Sequence, residues 1–367
     1  MSERQYFCIT RSMSRLITSA LIAAMSLSGA NAIGATYNLV DLATLSQGSW
    51  AVIRSPNSAG AAVGGGNLVS PTGASGSRQA LVFQNGAAPR PIAAPAGSED
   101  ATVFGVNDTG AVVGSANTAT AVRAFISTQA GGARELPPLP GDTASTAYAL
   151  NNLGQAVGFS SGASGERAVS WGTNGTPTPL PGPSGASRSK AIGVNDRGDV
   201  AGVVSAGAGQ RAVLWPDGQA ARELAPLAGH ATSEAFGINA RGDVVGYSGT
   251  ASARRATAWP FGGAAIDLGT LPGGNFSQAF GSNDAGDVVG SSGSSAGDHA
   301  FIWTRSTGLQ DLNTLVAASQ FVLTKAVGIN NLGMIVAIGF DASTAPPSDG
   351  QEVESHELPM RVFLLVR

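Results

Sequence analysis

Short apolar segments separated by Gly, Pro or Asn make up most of this chain. In residues 233–271, for example, "SEAFGIN", "DVVGYS", "RATAW" and "AIDLGTL" follow one another, and each is five to seven residues long. Small and larger apolar residues alternate in the first segment, and turn-forming residues lie at the ends of all four. This length and punctuation are typical of β-strands, so the pattern predicts an all-β fold.

A turn motif, Asn-x-x-Gly, recurs at a nearly constant interval. Its asparagines are spaced by 50, 44, 44, 44, 44 and 47 residues, and they are Asn57, Asn107, Asn151, Asn195, Asn239, Asn283 and Asn330. Sixteen residues after five of them, an apolar segment begins with a basic residue; these are Arg123, Arg167, Arg211, Arg255 and His299, with outer copies at Gln79 and Arg361. Four strands in a period of about 40–45 residues predict the blade of a β-propeller.

Seven copies of the turn predict seven blades. The last copy ends at Arg367 without a fourth strand, whereas "YNLVDLATL" (Tyr37–Leu45) matches the fourth-strand segment "AIDLGTL". We therefore expect a closed seven-bladed β-propeller of four-stranded blades, in which the N-terminal strand pairs into the last blade and removes two open sheet edges. The blade repeats are predicted near residues 50–94, 101–140, 145–180, 189–226, 233–271, 277–315 and 324–367 with 37–45. An open β-solenoid is the alternative, and it would not need the terminal strand.

Two copies of the turn contain the tripeptide Arg-Gly-Asp, at 197–199 and 241–243. In an Asn-x-x-Gly turn, the Asn side chain bonds a backbone N–H two residues later, and Gly takes the left-handed conformation. The arginine then occupies the free position of the turn, and the aspartate begins the next strand. We therefore interpret the tripeptide as part of the repeat rather than as an adhesion motif.

The first 32 residues have the layout of a secretory signal peptide. Arg4, Arg11 and Arg15 precede the apolar segment "LITSALIAAMSLSG", and "ANA" at 30–32 has the small residues of a cleavage site. Met13 is an equally good start for the same signal. Residues 1–32 are thus predicted to be cleaved, and residues 33–367 to form a single propeller in the periplasm or outside the cell.

The predicted mature chain is mildly acidic and has no cysteine. Without the charged residues of the signal, the 21 basic and 24 acidic residues fall to 18 and 23, a formal net charge of −5. The single cysteine, Cys8, lies in the signal, which excludes disulfides and thiol chemistry. Because this chain is acidic, we expect no nucleic-acid binding. It has only two lysines, Lys190 and Lys325, so a polybasic membrane patch is not expected, and without a further long apolar run neither is a membrane span after cleavage.

The marker segments resemble the HAF-repeat family, a group of extracellular repeat proteins of bacteria. The match lies in "SQAFGSNDAGDVVGSSGSSAGDHAFIW" (Ser277–Trp303), the following "DLNTL" and the preceding "AIDLGTLPGG", and the resemblance covers about residues 37–367. The name-giving His-Ala-Phe occurs once, at His299–Phe301, and the other repeats have Arg or Gln in its first position. The family has no established activity, so the resemblance implies an exported repeat protein and no catalytic residues.

Residues suited to catalysis are sparse and dispersed. His230, His299 and His356 lie in different repeats, and none has a partner at metal-ligand spacing. No catalytic residue, metal site or cofactor is therefore predicted. We interpret the repeated basic residues as internal blade contacts, with an anion-binding ring as the alternative. Tryptophans that recur at 44-residue spacing are interpreted as core between blades; they are Trp171, Trp215, Trp259 and Trp303.

Variable positions near the start of each innermost strand are the best candidates for ligand recognition. In a propeller, these positions and the preceding loops converge on one mouth of the central channel, where ligands commonly bind. Aromatic rings beside polar side chains there would suit stacking on a sugar or a peptide. The candidate ligand-binding residues are Trp50, Lys190, His230, Glu234, Phe276, Gln278, Phe321 and Lys325. Trp50 and Phe276 have an alternative role as fillers of the junction between blades.

Together these features predict an exported, monomeric repeat protein that acts as a binding or scaffolding module. Its partner would be a glycan, a peptide or a protein at the variable-loop face. Two alternatives stay open: a propeller lyase or hydrolase acting on an extracellular polymer, and a purely structural surface protein without a pocket. Lys190 beside Glu234 in a deep cavity would favour the enzyme, and a shallow mouth with exposed aromatic rings would favour binding.

Overall fold

The chain folds into β-strands and two single-turn 3₁₀ segments. The structure, a computed structural model, describes residues 37–44, 56–66, 79–206, 209–250, 252–317, 319–344 and 360–367. The 3₁₀ segments are Leu312–Thr314 and Ala342–Thr344. In the described part of the chain, no helix is long and apolar enough to cross a bilayer. The predicted all-β class is confirmed.

The strands are numbered here in chain order. Those of the first half are β1 (Asn38–Thr44), β2 (Ala62–Gly66), β3 (Gln79–Gln84), β4 (Ala87–Pro91), β5 (Ser98–Val106), β6 (Val112–Thr118), β7 (Val122–Thr128), β8 (Gly132–Leu136), β9 (Ala144–Leu150), β10 (Ala156–Gly162), β11 (Gly165–Trp171) and β12 (Pro177–Pro179). Those of the second half are β13 (Ala186–Val194), β14 (Val200–Ala206), β15 (Gly209–Trp215), β16 (Arg222–Glu223), β17 (Thr232–Ile238), β18 (Val244–Gly249), β19 (Arg254–Trp259), β20 (Ile266–Asp267), β21 (Ser277–Ser282), β22 (Val288–Ser294), β23 (Gly297–Thr304), β24 (Gly308–Asp311), β25 (Phe321–Ile329), β26 (Ile335–Asp341) and β27 (Arg361–Val366).

These strands form seven antiparallel sheets, termed blades 1 to 7. Blades 1 to 6 consist of β2–β4, β5–β8, β9–β12, β13–β16, β17–β20 and β21–β24, and blade 7 of β25–β27 with β1. In blades 2 to 7, the first strands of neighbouring blades contact one another, which places them around a common axis as inner strands. The predicted seven-bladed β-propeller is therefore confirmed. The inner strand of blade 1 was predicted near residue 50, which lies outside the described residues.

The N-terminal strand completes blade 7, as predicted. β1 pairs antiparallel with β27, from Asn38 opposite Val366 to Thr44 opposite Arg361. An ion pair between Arg361 and Asp41 adds a side-chain contact between the same two strands. Because β1 occupies the outer edge of β27, that edge is not open to pairing with another chain.

The apolar core lies between neighbouring blades. Trp171, Trp215 and Trp259 are at most 4 % exposed, and each indole N–H donates to a carbonyl 34 residues earlier in the chain. The acceptors are Pro137, Pro181 and Ala225. Since each acceptor lies in the segment that enters the blade from the preceding one, each of these tryptophans ties two blades together. This agrees with their predicted core role, whereas Trp303, the fourth of the predicted set, is only partly buried at the edge of its cluster.

Candidate functional site

The Asn-x-x-Gly turns lie together at one end of the central channel, here termed the hairpin face. In blades 2 to 7 each turn leads from the inner strand to the next strand, and the glycines of all seven turns have φ angles of 75° to 88°. The Asn107 side-chain oxygen accepts hydrogen bonds from the backbone N–H groups of Thr109 (3.1 Å) and Ala111 (3.0 Å). This is the turn geometry that the sequence predicted.

The nitrogen of the same side chains joins the blades in a ring. The Asn107 amide donates to the main-chain carbonyl of Asn151, and the Asn330 amide donates to that of Asn57. Six such bonds of 2.9–3.1 Å connect the seven turn asparagines, which are at most 9 % exposed. Among the described residues the seventh link, between blades 6 and 7, is missing, and the Asn283 amide donates to Asp287. We call this arrangement the asparagine ring. The prediction missed it, although Asn at all seven positions is the signal, since Asp would accept in the turn equally well but cannot donate.

A second set of polar groups, the rim, lies on the solvent side of the asparagine ring. Rim residues directly follow the ring asparagines, and they are Ser58, Asp108, Asn152, Asp196, Ala240, Asp284 and Asn331. The Asn152 backbone N–H donates to Asp196, and its side-chain amide donates to both Asp108 and Asp196 at 3.0–3.1 Å. The rim surrounds a cavity of about 250 Å³ that also has apolar walls, including Leu150 and Ile238. The polar groups of the hairpin face are thus engaged largely in contacts between blades.

The two Arg-Gly-Asp tripeptides are part of these turns. In the first, the Arg197 guanidinium forms an ion pair with Asp199 at 2.6 Å. In the second, Arg241 forms the corresponding ion pair with Asp243 at 2.8 Å. Burial opposes ionisation of Asp199, but hydrogen bonds from Arg197, Asn195 and the Asp217 backbone outweigh it and lower its pKa. An aspartate that is 7 % exposed and held in this way is not presented to a receptor. The interpretation as a turn therefore holds.

Basic residues at the starts of the third strands contact neighbouring groups of the protein. The Arg123 guanidinium donates to the carbonyl of Thr143, in the segment that enters the next blade. His299, which stands at the corresponding position in blade 6, pairs through Nδ1 with Asp311 on β24 at 2.6 Å. These contacts are those expected of internal blade residues.

The opposite end of the channel, here termed the loop face, carries the positions at which the repeats differ. It comprises the starts of the inner strands and the segments that connect one blade to the next. The residues five positions before the ring asparagines are Thr102, Thr146, Lys190, Glu234, Gln278 and Lys325, and the blade 1 equivalent, Val52, lies outside the described residues. All except Thr146 are partly exposed.

A β-bulge in the inner strands orients the side chains just below this mouth. In blade 5 the register shifts between Ala235 and Gly237, so that Phe236 has no partner residue on β18. The Glu234 carbonyl then approaches Gly246 so closely that a Cβ there would lie 1.9 Å away, which restricts this position to glycine. Corresponding bulged residues in the other blades are Phe104, Tyr148, Ile192, Phe280 and Val327.

Aromatic side chains at and beside the bulges form two clusters, together termed the aromatic wall. One lies in blades 2 and 3 and the other in blades 5 and 6; their members are Phe104, Tyr148 and Phe159, and Phe236, Tyr247 and Phe280. Neighbouring ring centroids are 5.3–5.8 Å apart. The Lys190 ammonium lies 4.9 Å from the Phe159 ring centroid, and that of Lys325 lies 4.1 Å from the Phe280 centroid. Each cluster therefore carries one lysine in cation–π contact.

Charged groups of both signs line a small open cavity at the loop face, here termed the charged notch. Its volume is about 120 Å³, and its lining includes Glu166, Arg188, Lys190, Gln210 and Glu234. The Lys190 ammonium pairs with Glu166 at 2.8 Å, and these side chains are 32 % and 30 % exposed. The structure thus brings together two of the predicted site residues, Lys190 and Glu234.

Tyr247 links the charged notch to the aromatic wall. Its hydroxyl donates to Glu234 at 3.2 Å, and the Arg254 guanidinium lies 4.7 Å from its ring centroid. Burial, together with the negative charge of Glu234, raises the pKa of Tyr247, so the hydroxyl keeps its proton and acts as a donor. A ligand at the notch would therefore meet a carboxylate held in place by hydrogen bonding.

Two predicted aromatic residues serve blade packing. Phe276 lies against the backbone of β22, where a Cβ on Gly293 would be 3.1 Å from the ring. This matches the junction-filling alternative for that residue. Phe321 stacks on the fully buried Phe363 with ring centroids 5.0 Å apart, and the Arg361 guanidinium lies over its ring at 5.2 Å. The rings of Phe276 and Phe321 are both partly exposed, and both contact other residues of the protein.

The remaining predicted residues lie apart from the charged notch or outside the described chain. Gln278 is partly exposed on the inner strand of blade 6, next to the second aromatic cluster. His230 lies in the segment that enters blade 5, and its Nδ1 is buried with no hydrogen-bond partner among the described residues. Trp50 lies outside the described residues. In the part of the chain that the structure describes, no group of three or more His, Cys, Asp or Glu side chains is placed to hold a metal ion.

The fold is shared with solved β-propellers. The chain is similar to the β-propeller domain of the Trilobed protease from Pyrococcus furiosus, with a TM-score of 0.54, 11 % identity, and 86 % of this chain and 93 % of that one covered. Virginiamycin B lyase from Staphylococcus aureus has a TM-score of 0.54 and 11 % identity, with 90 % of this chain and 100 % of that one covered.

YCF48 bound to a D1 peptide is also similar, with a TM-score of 0.53 and 10 % identity over 93 % of this chain and 100 % of that one. No family model and no curated protein matches the sequence. At these identities the likeness shows the propeller fold alone, and no functional residue is transferred from it.

Proposed function

We propose that this chain is an exported propeller protein that binds a polymer segment, a peptide or a glycan, at the loop face. The observation that carries the proposal is that Lys190 belongs to both parts of the site: it pairs with Glu166 in the charged notch and lies over Phe159 in the aromatic wall. Aromatic faces supply contact area, and a few placed polar groups supply orientation and specificity.

The size of the charged notch favours recognition over catalysis. A cavity of about 120 Å³ is smaller than the roughly 300–1,000 Å³ of typical small-molecule sites. A ligand would therefore lie across the mouth, with one polar or charged group in the notch and its flat or apolar parts against the aromatic wall. Peptides and glycans both have this character. The similar propeller of YCF48, which is bound to a D1 peptide, is an example of the fold with a peptide ligand.

Export and membership of the HAF-repeat family belong to the same proposal. They are supported by the signal-like layout of residues 1–32 and by the repeat markers in residues 37–367. Expression of the full chain in a bacterial host with cell fractionation tests export. We expect the protein outside the cytoplasm with Ile33 as its first residue, and an intact N-terminus in the cytoplasm would contradict this part.

A combined peptide and glycan array tests the binding site. The protein beginning at Ile33 is compared with Lys190→Ala and Glu234→Gln, and Arg241→Ala on the hairpin face is the matched control. We expect hits that both loop-face variants weaken at least about tenfold and that the control retains, with all four proteins melting cooperatively. Hits bound equally by wild type and both loop-face variants would contradict the site.

A propeller lyase or hydrolase is the second candidate, because Glu166, Lys190 and Glu234 line one cavity. Carboxylates beside an ammonium are groups that acid–base catalysis uses. The similar virginiamycin B lyase is an example of the fold with enzymatic activity. Incubating array hits with the protein distinguishes the candidates: cleavage by wild type but not by Glu234→Gln supports an enzyme, whereas intact, bound hits support a binding module. A purely structural surface protein gives no hits.

A further inference from the structure

A second cavity, of about 610 Å³, opens between blades 3 and 4. It is bounded on one side by residues 180–184, which lead into blade 4, and on the other by residues 215–221, which form the turn between β15 and β16. It shares no lining residue with the charged notch. Its volume falls within the range of roughly 300–1,000 Å³ that is typical of small-molecule sites. We call it the blade 4 crevice.

The walls of the blade 4 crevice are mainly apolar and rigid. They include the rings of Pro181, Pro183 and Pro216, together with Trp215 and Val200. The Trp215 indole N–H already donates to the Pro181 carbonyl at 2.8 Å, and the ring is only 4 % exposed, so the tryptophan supports the wall from behind and offers no donor. Because proline rings have little conformational freedom, these walls lose little entropy when a ligand binds.

The crevice coincides with a departure of blade 4 from the repeat. In blades 3, 5 and 6, a leucine stands at the position of Pro183, and its backbone N–H donates to a serine on the second strand. These pairs are Leu139–Ser160, Leu227–Ser248 and Leu271–Ser292, at 2.9–3.1 Å. In blade 4 both partners are replaced together: Pro183 has no N–H to donate, and Val204 stands at the serine position.

The combination of this proline with a tryptophan occurs in blade 4 alone. Blade 2 has the same replacement, Pro95 with Ala116, but it has Ser127 at the tryptophan position. The other blades with a tryptophan there have the leucine. The departure therefore replaces a leucine side chain by a proline ring next to a large aromatic residue, and the space beside them is the crevice.

We propose that the blade 4 crevice is a second binding site, which takes a small uncharged ring compound with one hydrogen-bonding group. The accessible rings of Pro181, Pro183 and Pro216 suit a flat or cyclic apolar ligand, which packs against them through dispersion and CH–π contacts. Among the lining residues only Asp217 is charged, so the crevice does not favour an ionic ligand. Ser184 and Gln219 lie at the crevice and can hydrogen-bond to the polar group, whereas the Gln155 amide is already bonded to Asn151 and Ser170.

Indole and phenol, titrated by calorimetry and by saturation-transfer NMR, test this proposal. Wild type is expected to bind at least one of them with a Kd of about 1 mM or tighter. Pro183→Leu with Val204→Ser restores the pattern of blade 5 and is expected to weaken binding at least about tenfold. Ala220→Phe places a ring at the exposed mouth of the crevice and is also expected to weaken binding at least about tenfold. If the double variant does not fold, Ala220→Phe alone tests the proposal.

Lys190→Ala is the control that separates this site from the loop face. It is expected to bind indole and phenol as wild type does, whatever the array shows for its loop-face ligand. Absence of binding to wild type up to about 10 mM of either probe would overturn the proposal. Binding that is unchanged in both Ala220→Phe and the double variant would also overturn it.

Discussion

The side-chain amide of Asn330 donates a 2.9 Å hydrogen bond to the main-chain carbonyl of Asn57, although the two residues are 273 positions apart. The same bond links successive blades at an interval of 44 residues, for example from Asn107 to Asn151. Blade 7 is thus joined to blade 1 on the hairpin face in the way that blades 1 to 6 are joined to one another. On the outer side, β1 completes blade 7 by pairing with β27. The N-terminal and C-terminal parts of the chain are therefore joined both next to the channel and at the outer edge of the propeller.

Replacing Asn107 by Asp should separate the two functions of the ring asparagines. The carboxylate keeps the oxygen that accepts from the turn N–H groups, but it cannot donate to the Asn151 carbonyl. We expect the free energy of unfolding in urea to fall by about 1–3 kcal/mol, because a buried acceptor loses its partner. Asp108→Asn, at the exposed rim, is the adjacent control and should cost less than about 0.5 kcal/mol. If the free energy of unfolding fell equally in Asn107→Asp and Asp108→Asn, the bond from Asn107 to Asn151 would contribute nothing to stability.

Replacing Ala240 by Asn should complete the rim. Ala240 lies between Asp196 and Asp284, and its methyl group cannot accept from the Asp196 backbone N–H, whereas Asn152 accepts such a bond in blade 3. An asparagine supplies this acceptor and an amide between two carboxylates. We expect the free energy of unfolding to rise by about 0.5–1 kcal/mol. Ala285→Asn, at an exposed turn position, should leave it unchanged, and a rise of the same size there would contradict the explanation.

Acid should destabilise the protein through the aspartates of the Arg-Gly-Asp turns. Burial opposes ionisation of Asp199 and Asp243, but hydrogen bonds from turn residues and from the backbone N–H groups of Asp217 and Phe261 outweigh it and lower both pKa values. A carboxyl with a lowered folded-state pKa stabilises the fold above its unfolded value, about 3.9, and this stability is lost as pH falls through the folded value. Asp199→Asn with Asp243→Asn should therefore be less stable than wild type at pH 7, and the difference should shrink below about pH 4.

Urea denaturation of both proteins from neutral to acid pH measures this difference. Curves of unfolding free energy that run parallel over the whole range would show that the two carboxylates do not carry the pH dependence. Arg305→Ala, in the exposed turn that follows β23, removes a charge outside these turns and is the control.

Removal of the N-terminal strand should impair folding or cause self-association. A protein that begins at Ser46 lacks β1, so the outer edge of β27 is left open to pairing with another chain. Asp41→Ala is the control, because a partly exposed ion pair with Arg361 is worth at most about 1 kcal/mol. Thermal unfolding and light scattering measure both effects. A shortened protein that is monomeric and as stable as the protein that begins at Ile33 would show that closure by β1 is dispensable.

Local features of the repeat could be predicted because neighbouring residues determine them. The turn from Asn107 to Gly110 needs one acceptor side chain and one glycine, and both are present in the sequence at fixed spacing. The bond from Asn107 to Asn151 could not be predicted in this way, since it exists only once two blades lie side by side. Closure by β1 was predictable because its sequence matches the missing fourth strand.

Only part of the candidate site at the loop face could be predicted from the sequence. Lys190 and Glu234 stand out because the repeats differ at their position. Glu166, Arg188 and Tyr247 were missed, since they come from other strands or positions whose approach to the notch depends on the packing of blades 3, 4 and 5. The bulges at the aromatic wall were missed as well, because the alternation of a strand gives no sign of a register shift.

The central claim is that residues shared by the repeats build the ring, whereas residues that differ at the loop face bind the ligand. Hydrogen–deuterium exchange of the protein that begins at Ile33, with and without the strongest array hit, tests it most directly. We predict slower exchange at residues 188–192 and 232–236 and no change in the turns at 107–110 and 151–154. Protection confined to those turns, with the loop face unaffected at saturating ligand, would contradict the claim.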